Sequence, residues 1–523
     1  MRLMDGVTVP CLILTAMSAW GAPVSALSAP SAQAVGADSN IGAIRREVEG
    51  GGTSCRRLVA AYLRRISRTD SRLHSIIAVN RRAKADARRI DALTQDKKEA
   101  LPLLCTPTLV KDNIDVAGMP TTAGSVALKH NVAAADALAV TRLRQAGAII
   151  LAKTNMSEFA FNYRGHSSIR GQTRSPFSGQ ESAGGSSSGN ASALAAGLGV
   201  VALGTDTSGS VRVPAALTGT IGLRPGFGTV PMGGVAPLSP TQDVIGPMCR
   251  QVEDCERVMA VLAPDVQAVG EGSALAGLRV GVLDGLMRPD GVAEQAALTA
   301  LRQQGVAVDA VRLRDEAVLV GQAPPAGETA RFASRSAFDF PAVMDGYLPA
   351  RQHVPGDARD LLRRLQTLAA HRRTDPRVVE DVAQFSANRD GEASDPRFRI
   401  NAPVFRDHYV SDRIDEAFDC HDGHPCIDVL VYAPVQQVSA PADKGPDTGG
   451  THRLAAYSGR PAIAFPIGTA LTPAGRRPVS LEIMGRRGSE ARLMAIVAAW
   501  QILLTLPQAH ACPAGGALLC LAH

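Results

Sequence analysis

The chain has 523 residues, 45% hydrophobic and 20% charged, with 50 glycines, 33 prolines and only 4% aromatics. That length buries one large core or two ordinary ones, and the balance is that of a globular protein, not a disordered or fibrous one. The net charge of +6 is small for this size, and clusters such as Arg64-Arg65 and Arg88-Arg89 read as solvated helix faces. No aromatic-rich RNA-binding motif accompanies them, so nucleic acid is excluded as an expected partner.

At the N-terminus an apolar run from Val7 to Trp20 follows Arg2. It is too short to span a bilayer and has the form of a secretory signal. Val24-Ser25-Ala26 and Ala32-Gln33-Ala34 are candidate cleavage sites, so residues 1–26 are assigned to a signal peptide cleaved after 26 or 34. Cys11 follows Pro10 and not a small residue, which argues against a lipid anchor; no stable membrane anchor is expected.

Cysteine usage points the same way. Cys249/Cys255, Cys420/Cys426 and Cys512/Cys520 form close pairs, and Cys55 and Cys105 complete a set of four. Without Cys11 eight cysteines remain, and an even count with local pairing suits an oxidising compartment, so the expected location is periplasmic or secreted. The segment Cys420-His-Asp-Gly-His-Pro-Cys426 has a rival reading as a metal site through two thiols, His421 and His424. Such ligands usually come as two separated pairs, so a disulfide-closed loop is preferred and neither a metal nor another cofactor is expected.

Residues 27–50 are assigned to a flexible leader, rich at first in Ala, Ser and Pro. Thr53 or Ser54 then caps a helix whose Leu58, Val59, Tyr62, Leu63 and Ile66 recur at helical spacing. A second helix is predicted over 83–93, a buried strand entry over 101–110, and a helix over 140–146 ended by Gly147. A strand over 148–152, an Ala-rich helix over 192–198 and a strand over 200–203 follow. Residues 285–415 are more charged and broken by Pro and Gly, and form a variable, less regular region. Strands return over 428–432 and 461–465, before a packed helix over 490–506. With no repeat and no linker, the pattern predicts one α/β domain over 51–510, with helices on both faces of a central sheet and a tail at 511–523.

The stretch richest in chemistry runs from Gly184 to Arg224. It contains Gly184-Gly-Ser-Ser-Ser-Gly189 and Gly204-Thr-Asp-Thr-Ser-Gly-Ser-Val-Arg212. A flexible linker would be flanked by polar sequence, yet the first segment enters an apolar helix. A nucleophile elbow centred on Ser187 needs a buried strand before it, and residues 176–183 supply none.

These segments resemble the hallmark of the amidase signature family, with Ser186 and Ser210 separated by the family's 24 positions. Val110-Lys-Asp-Asn-Ile114, Thr121-Thr-Ala-Gly-Ser125, Ala152-Lys-Thr-Asn-Met-Ser-Glu-Phe159, Ile221-Gly-Leu-Arg-Pro225 and Gly459-Arg-Pro-Ala-Ile-Ala-Phe-Pro466 are similar to family segments in the same order. The resemblance implies a mixed central sheet and an amidohydrolase in which Ser210 is the nucleophile. Ser186 is the bridging serine after a cis peptide bond, and Lys111 is the base, made neutral by burial. Backbone N–H groups of Thr207, Ser208, Gly209 and Ser210 would form the oxyanion hole, with Asp206, Arg212 and Ser187 as supports. Met156, Glu158 and Phe161 are expected to bind substrate, since residues 158–174 are similar to the acyl-side segment of exported bacterial peptide amidases.

Ser188 and Ser208 stand where the family commonly has glycine, and Arg224 where Lys is usual. The partner expected is a peptide or small-molecule amide. Two alternatives are the glutamine-hydrolysing subunit of an amidotransferase and a catalytically silent exported binding protein of the same fold. A metal-dependent hydrolase using His421 and His424 is a third. Oligomeric state is not read from the sequence.

Overall fold

The computed structural model describes residues 39–266, 274–389, 396–420 and 426–505. Its strands are β1 (Ile76–Val79), β2 (Pro107–Lys111), β3 (Ile149–Thr154), β4 (His166–Ser167), β5 (Gly171–Gln172), β6 (Val201–Asp206), β7 (Ile221–Arg224) and β8 (Val244–Cys249). Then come β9 (Arg279–Leu283), β10 (Ala307–Val311), β11 (Val429–Tyr432), β12 (Ala462–Thr472) and β13 (Gly475–Gly485). β4 and β5 make a small hairpin. The other eleven form one sheet in the order β1-β3-β2-β6-β8-β7-β12-β13-β11-β9-β10.

β2 is parallel to β3 and β6, and β9 is parallel to β10 and β11, while the remaining neighbours are antiparallel. The sheet is therefore mixed, and the chain forms one large α/β domain. β2, β3 and β6 are buried along their whole length, the consequence of cover on both faces. Being parallel neighbours, they end at one sheet edge, which brings Lys111, Thr154 and Asp206 together. In α/β sheets the carboxyl ends of strands are where ligands bind.

Local chemistry accounts for the helices that frame this edge. Ser54 Oγ accepts from Arg57 N at 3.2 Å and caps Cys55–Leu73, which buries Leu58, Val59, Tyr62 and Ile66. Helix Leu138–Gln145 leads into β3 through Gly147, whose φ of 96° is the left-handed region open to glycine. Helix Glu490–Thr505 buries Trp500, whose indole N–H donates to Ala297 O at 3.1 Å.

Three sequence expectations need correction. The leader assigned to 27–50 already folds at its end: Ile41–Glu49 is a helix, capped by Asn40 and burying Ile41, Ile44 and Val48. Its first N–H donates to Asp254 Oδ1 at 2.9 Å, so tertiary packing holds a short helix that is marginal alone. The Ala-rich helix spans Ser188–Ala195 in place of 192–198, because the Gly/Ser segment forms its first turn. Residues 285–415 are largely helical, with Ser336–Tyr347, Ala358–Ala370, Pro376–Arg389, Pro396–Asn401 and Pro403–Phe418. Three of their prolines occupy first helical positions, where the missing N–H costs nothing, and so start helices instead of breaking them.

Cys55–Cys105, Cys249–Cys255 and Cys420–Cys426 are paired as disulfides. The signal segment, the Cys512/Cys520 pair, the tail 511–523, His421 and His424 lie outside the described residues. Among the described residues no helix is long and apolar enough to cross a membrane.

Cys55–Cys105 joins the start of a helix to the entry of β2 across 50 positions. Replacing both cysteines by alanine should lower the unfolding free energy by about 2–4 kcal/mol, read from the urea midpoint.

Candidate active site

Lys111, the last residue of β2, is fully buried. Its Nζ donates to Ser186 Oγ at 2.8 Å, Thr205 Oγ1 at 2.8 Å and Thr205 O at 3.0 Å. Burial pushes the ammonium down to about 7, and the attraction of Asp206 and Asp243 only partly opposes it. Asn113 Nδ2 also donates to Thr205 Oγ1, at 3.1 Å. Thr205 and Asn113 were not singled out by sequence, although each lies within two residues of a candidate that was.

Ser186 follows a cis peptide bond to Gly185, as the resemblance implied. Its carbonyl accepts from Ser157 N at 3.1 Å. Ser187 crosses to the other segment, its N–H donating to Ser210 O at 3.0 Å and its Oγ to Thr205 O at 3.3 Å. Gly189 lets this turn lie close: a Cβ there would stand 2.4 Å from Asn155 N and Ser75 O. The two serine segments are thus held together by backbone contacts at the carboxyl ends of β2, β3 and β6.

Asp206 organises the turn that carries Ser210. Its carboxylate accepts from Gly209 N at 2.6 Å, Val211 N at 3.2 Å, Arg212 Nε at 3.1 Å and Arg224 Nη1 at 3.0 Å. Burial pushes this carboxyl up, but Arg212 and Arg224 outweigh it and hold it well below the usual carboxylate range. Arg212 also pairs with Glu482, which accepts from Tyr432 Oη at 2.6 Å. Asp206 and Arg212 therefore brace the loop, as the sequence suggested, and Arg224 joins them.

One oxyanion assignment is corrected. The Gly209 N–H is turned onto Asp206, whereas those of Thr207, Ser208 and Ser210 have no acceptor among the described residues. Thr207 is clamped, its Oγ1 donating to Asp243 Oδ1 at 2.6 Å and its carbonyl accepting from Gln242 Nε2 at 3.0 Å. Tyr163 Oη donates to Ser208 O at 2.5 Å. Tyr163, Gln242 and Asp243 lie 35 or more positions along the chain from the residues they hold, and no local pattern marks them.

The substrate-binding expectations fare unevenly. Met156 is fully buried in an apolar cluster with Phe159, Phe340 and Leu361, so it is core. Glu158 is 1% exposed; its carboxylate accepts from Ser168 N at 3.1 Å, Ser168 Oγ at 2.9 Å and Thr374 Oγ1 at 3.2 Å. Burial pushes its carboxyl up to about 7. Glu158 is thus a tie to the helical region and not a group open to substrate. Phe161 remains, at the edge of a groove of about 490 Å³ lined also by Tyr163, Arg164, Arg377, Glu380 and Asp381. Ser188 Oγ, held by Thr173 Oγ1 at 3.1 Å, is likewise committed to the fold. Among the described residues no group of three His, Cys, Asp or Glu side chains is placed to hold a metal ion.

Asp206→Asn removes the charge that two buried guanidinium groups share. It should cost about 3–5 kcal/mol of stability, measured by urea unfolding, because it leaves buried cations under-compensated.

The Amidase family model matches residues 57–323. The chain is 33% identical over 467 residues to a glutamyl-tRNA(Gln) amidotransferase subunit of Nitratidesulfovibrio vulgaris, covering 83% of this chain and 90% of that one. The corresponding protein of Oleidesulfovibrio alaskensis is 42% identical over 240 residues, and there the match spans 43% of this chain and about half of the relative, 49%. Among solved structures, the peptide amidase of Stenotrophomonas maltophilia is similar with a TM-score of 0.76 and 30% identity, covering 89% of this chain and 96% of that one. With the family model, the aligned length and the shared fold in agreement, the chain belongs to the amidase signature family of amidohydrolases.

Proposed function

We propose that the protein hydrolyses linear amides through Ser210, Ser186 and Lys111, releasing ammonia or an amine from peptide or small-molecule substrates. The observation that carries this reading is the buried Lys111 amine, 2.8 Å from Ser186 Oγ and with its pKa lowered to about 7. A neutral lysine has two N–H groups and one lone pair. Once the ammonium loses the proton it donates to Ser186 Oγ, the Thr205 oxygens keep the two remaining N–H groups, and the freed lone pair accepts from the Ser186 hydroxyl as a base.

In this mechanism Ser210 Oγ attacks the amide carbonyl and its proton passes to Ser186 Oγ, whose own proton passes to Lys111 Nζ. The N–H groups of Thr207, Ser208 and Ser210 receive the oxyanion. Proton return through Ser186 to the leaving nitrogen breaks the C–N bond and leaves an acyl-enzyme. Water, activated by the same relay, then releases the acid and restores Ser210.

The likeness to a peptide amidase over 89% of the chain supports peptide or small amides as substrates. The names of the curated relatives support a second reading, the glutamine-hydrolysing component of an amidotransferase. The signal-like N-terminus and the three cysteine pairs support export to the periplasm or beyond, which counts against that second reading.

Ammonia release from amidated dipeptides, benzamide, a fatty amide and glutamine tests these readings. One class should be turned over by the wild type and not by Ser210→Ala. Turnover of glutamine alone would favour the amidotransferase reading. A fluorophosphonate probe should label Ser210, and a chain that neither labels nor turns over any amide would be a silent binding protein.

The base must be neutral, so kcat/KM should rise with pH and level off above an apparent pKa near 7. Lys111→Arg, which cannot lose its proton, should lower kcat by roughly 10²–10⁴-fold at every pH assayed.

A further inference from the structure

Two buried polar atoms beside the Ser210 turn have no hydrogen-bond partner among the described residues: His452 Nδ1 and Ser208 Oγ. His452 is 8% exposed and packs directly against the turn. A Cβ on Gly209 would stand 2.7 Å from His452 Cβ, so the imidazole and the Ser208-Gly209-Ser210 backbone share one wall. The Tyr163 ring meets the imidazole edge-on with centroids 5.2 Å apart, and its hydroxyl donates to Ser208 O. The His452 carbonyl accepts from Arg212 Nη2 at 3.0 Å, which fixes its backbone to the brace beneath. Tyr163, which touches both His452 and Ser208, is also among the residues that line the groove beside Phe161.

Buried polar groups in folded proteins are normally satisfied, and two orphans on one wall of a site call for a ligand that completes them. We propose that His452 and Ser208 determine specificity by hydrogen-bonding an uncharged polar group of the substrate, a peptide N–H or C=O, next to the scissile amide. The inference rests on Ser210 being the nucleophile. Burial, then Arg453 and Arg212, keeps the imidazole well below its ordinary pKa and so neutral. A neutral imidazole offers one donor and one acceptor, as the Ser208 hydroxyl does. That suits a peptide group and offers no counter-charge to a carboxylate.

The test compares N-acetylphenylalaninamide with 3-phenylpropionamide, which keeps the ring and the primary amide but lacks the neighbouring peptide group. In His452→Phe a ring still fills the space against Gly209 and Tyr163, but both nitrogens are gone. The ratio of kcat/KM for the first substrate over the second should fall about tenfold, the order set by one neutral hydrogen bond. Ser208→Gly should lower the same ratio, and His452→Gln, which keeps a donor and an acceptor, should restore most of it. Fluorophosphonate labelling of Ser210 is followed in each variant to show that the site is assembled. An unchanged ratio in labelled His452→Phe overturns the proposal, as does an equal fall on both substrates, the mark of a merely structural role. If Ser210→Ala itself keeps turnover, the nucleophile assignment fails instead, and the two failures are distinct.

Discussion

The site depends on one buried carboxylate. Asp206 stands at the end of β6, where the chain must turn sharply to present Ser210, and it takes hydrogen bonds from two backbone amides and two guanidinium groups. An isolated ion in this position would be costly, and the pairing makes it tolerable. Because Arg212 also reaches Glu482 on β13 and the His452 carbonyl, the turn is tied to a strand some 270 positions away. The same carboxylate turns the Gly209 N–H inward, which determines which amides of the turn remain available to an oxyanion.

Lys111 is held differently. Its neighbours at hydrogen-bond distance are hydroxyl and carbonyl oxygens, with no carboxylate among them. Desolvation therefore prevails over the more distant attraction of Asp206 and Asp243. Lys153, one strand over, is also fully buried but lies 3.4 Å from Asp112 and 2.9 Å from Pro120 O. Two buried lysines at adjacent strand ends thus have distinct surroundings. Burial pushes the pKa of both down, and Lys153 also joins the end of β3 to the loop after β2.

The helical region after β10 closes over this edge. Phe340, Leu361, Leu365, Val378 and Val382 pack on Met156, Phe159 and Leu128. Thr374 donates to Glu158, and Phe161 stacks edge-on with Phe340 and Phe385 at 4.8 and 5.0 Å. The wall of the groove is therefore shared between a segment close to the motif in sequence and helices that come much later in the chain.

The sequence by itself determined the family, the α/β class and most helices and strands near the motifs, and it singled out Lys111, Ser186 and Ser210 as candidates. Those signals are local: apolar periodicity, a serine cap before Cys55, and short ordered motifs that hold their chemistry within a few residues. It misjudged residues 285–415, because prolines that open helices look like breaks until the helix direction is known. Tertiary structure alone decided that Lys111 meets Ser186 across 75 positions, that Gly209 points its N–H at Asp206, and that Met156 and Glu158 are spent on the fold. It alone also set His452 against Gly209. Such contacts arise from sheet order and helix packing, which bring distant segments to one edge, and no local pattern of side chains encodes where that edge will be.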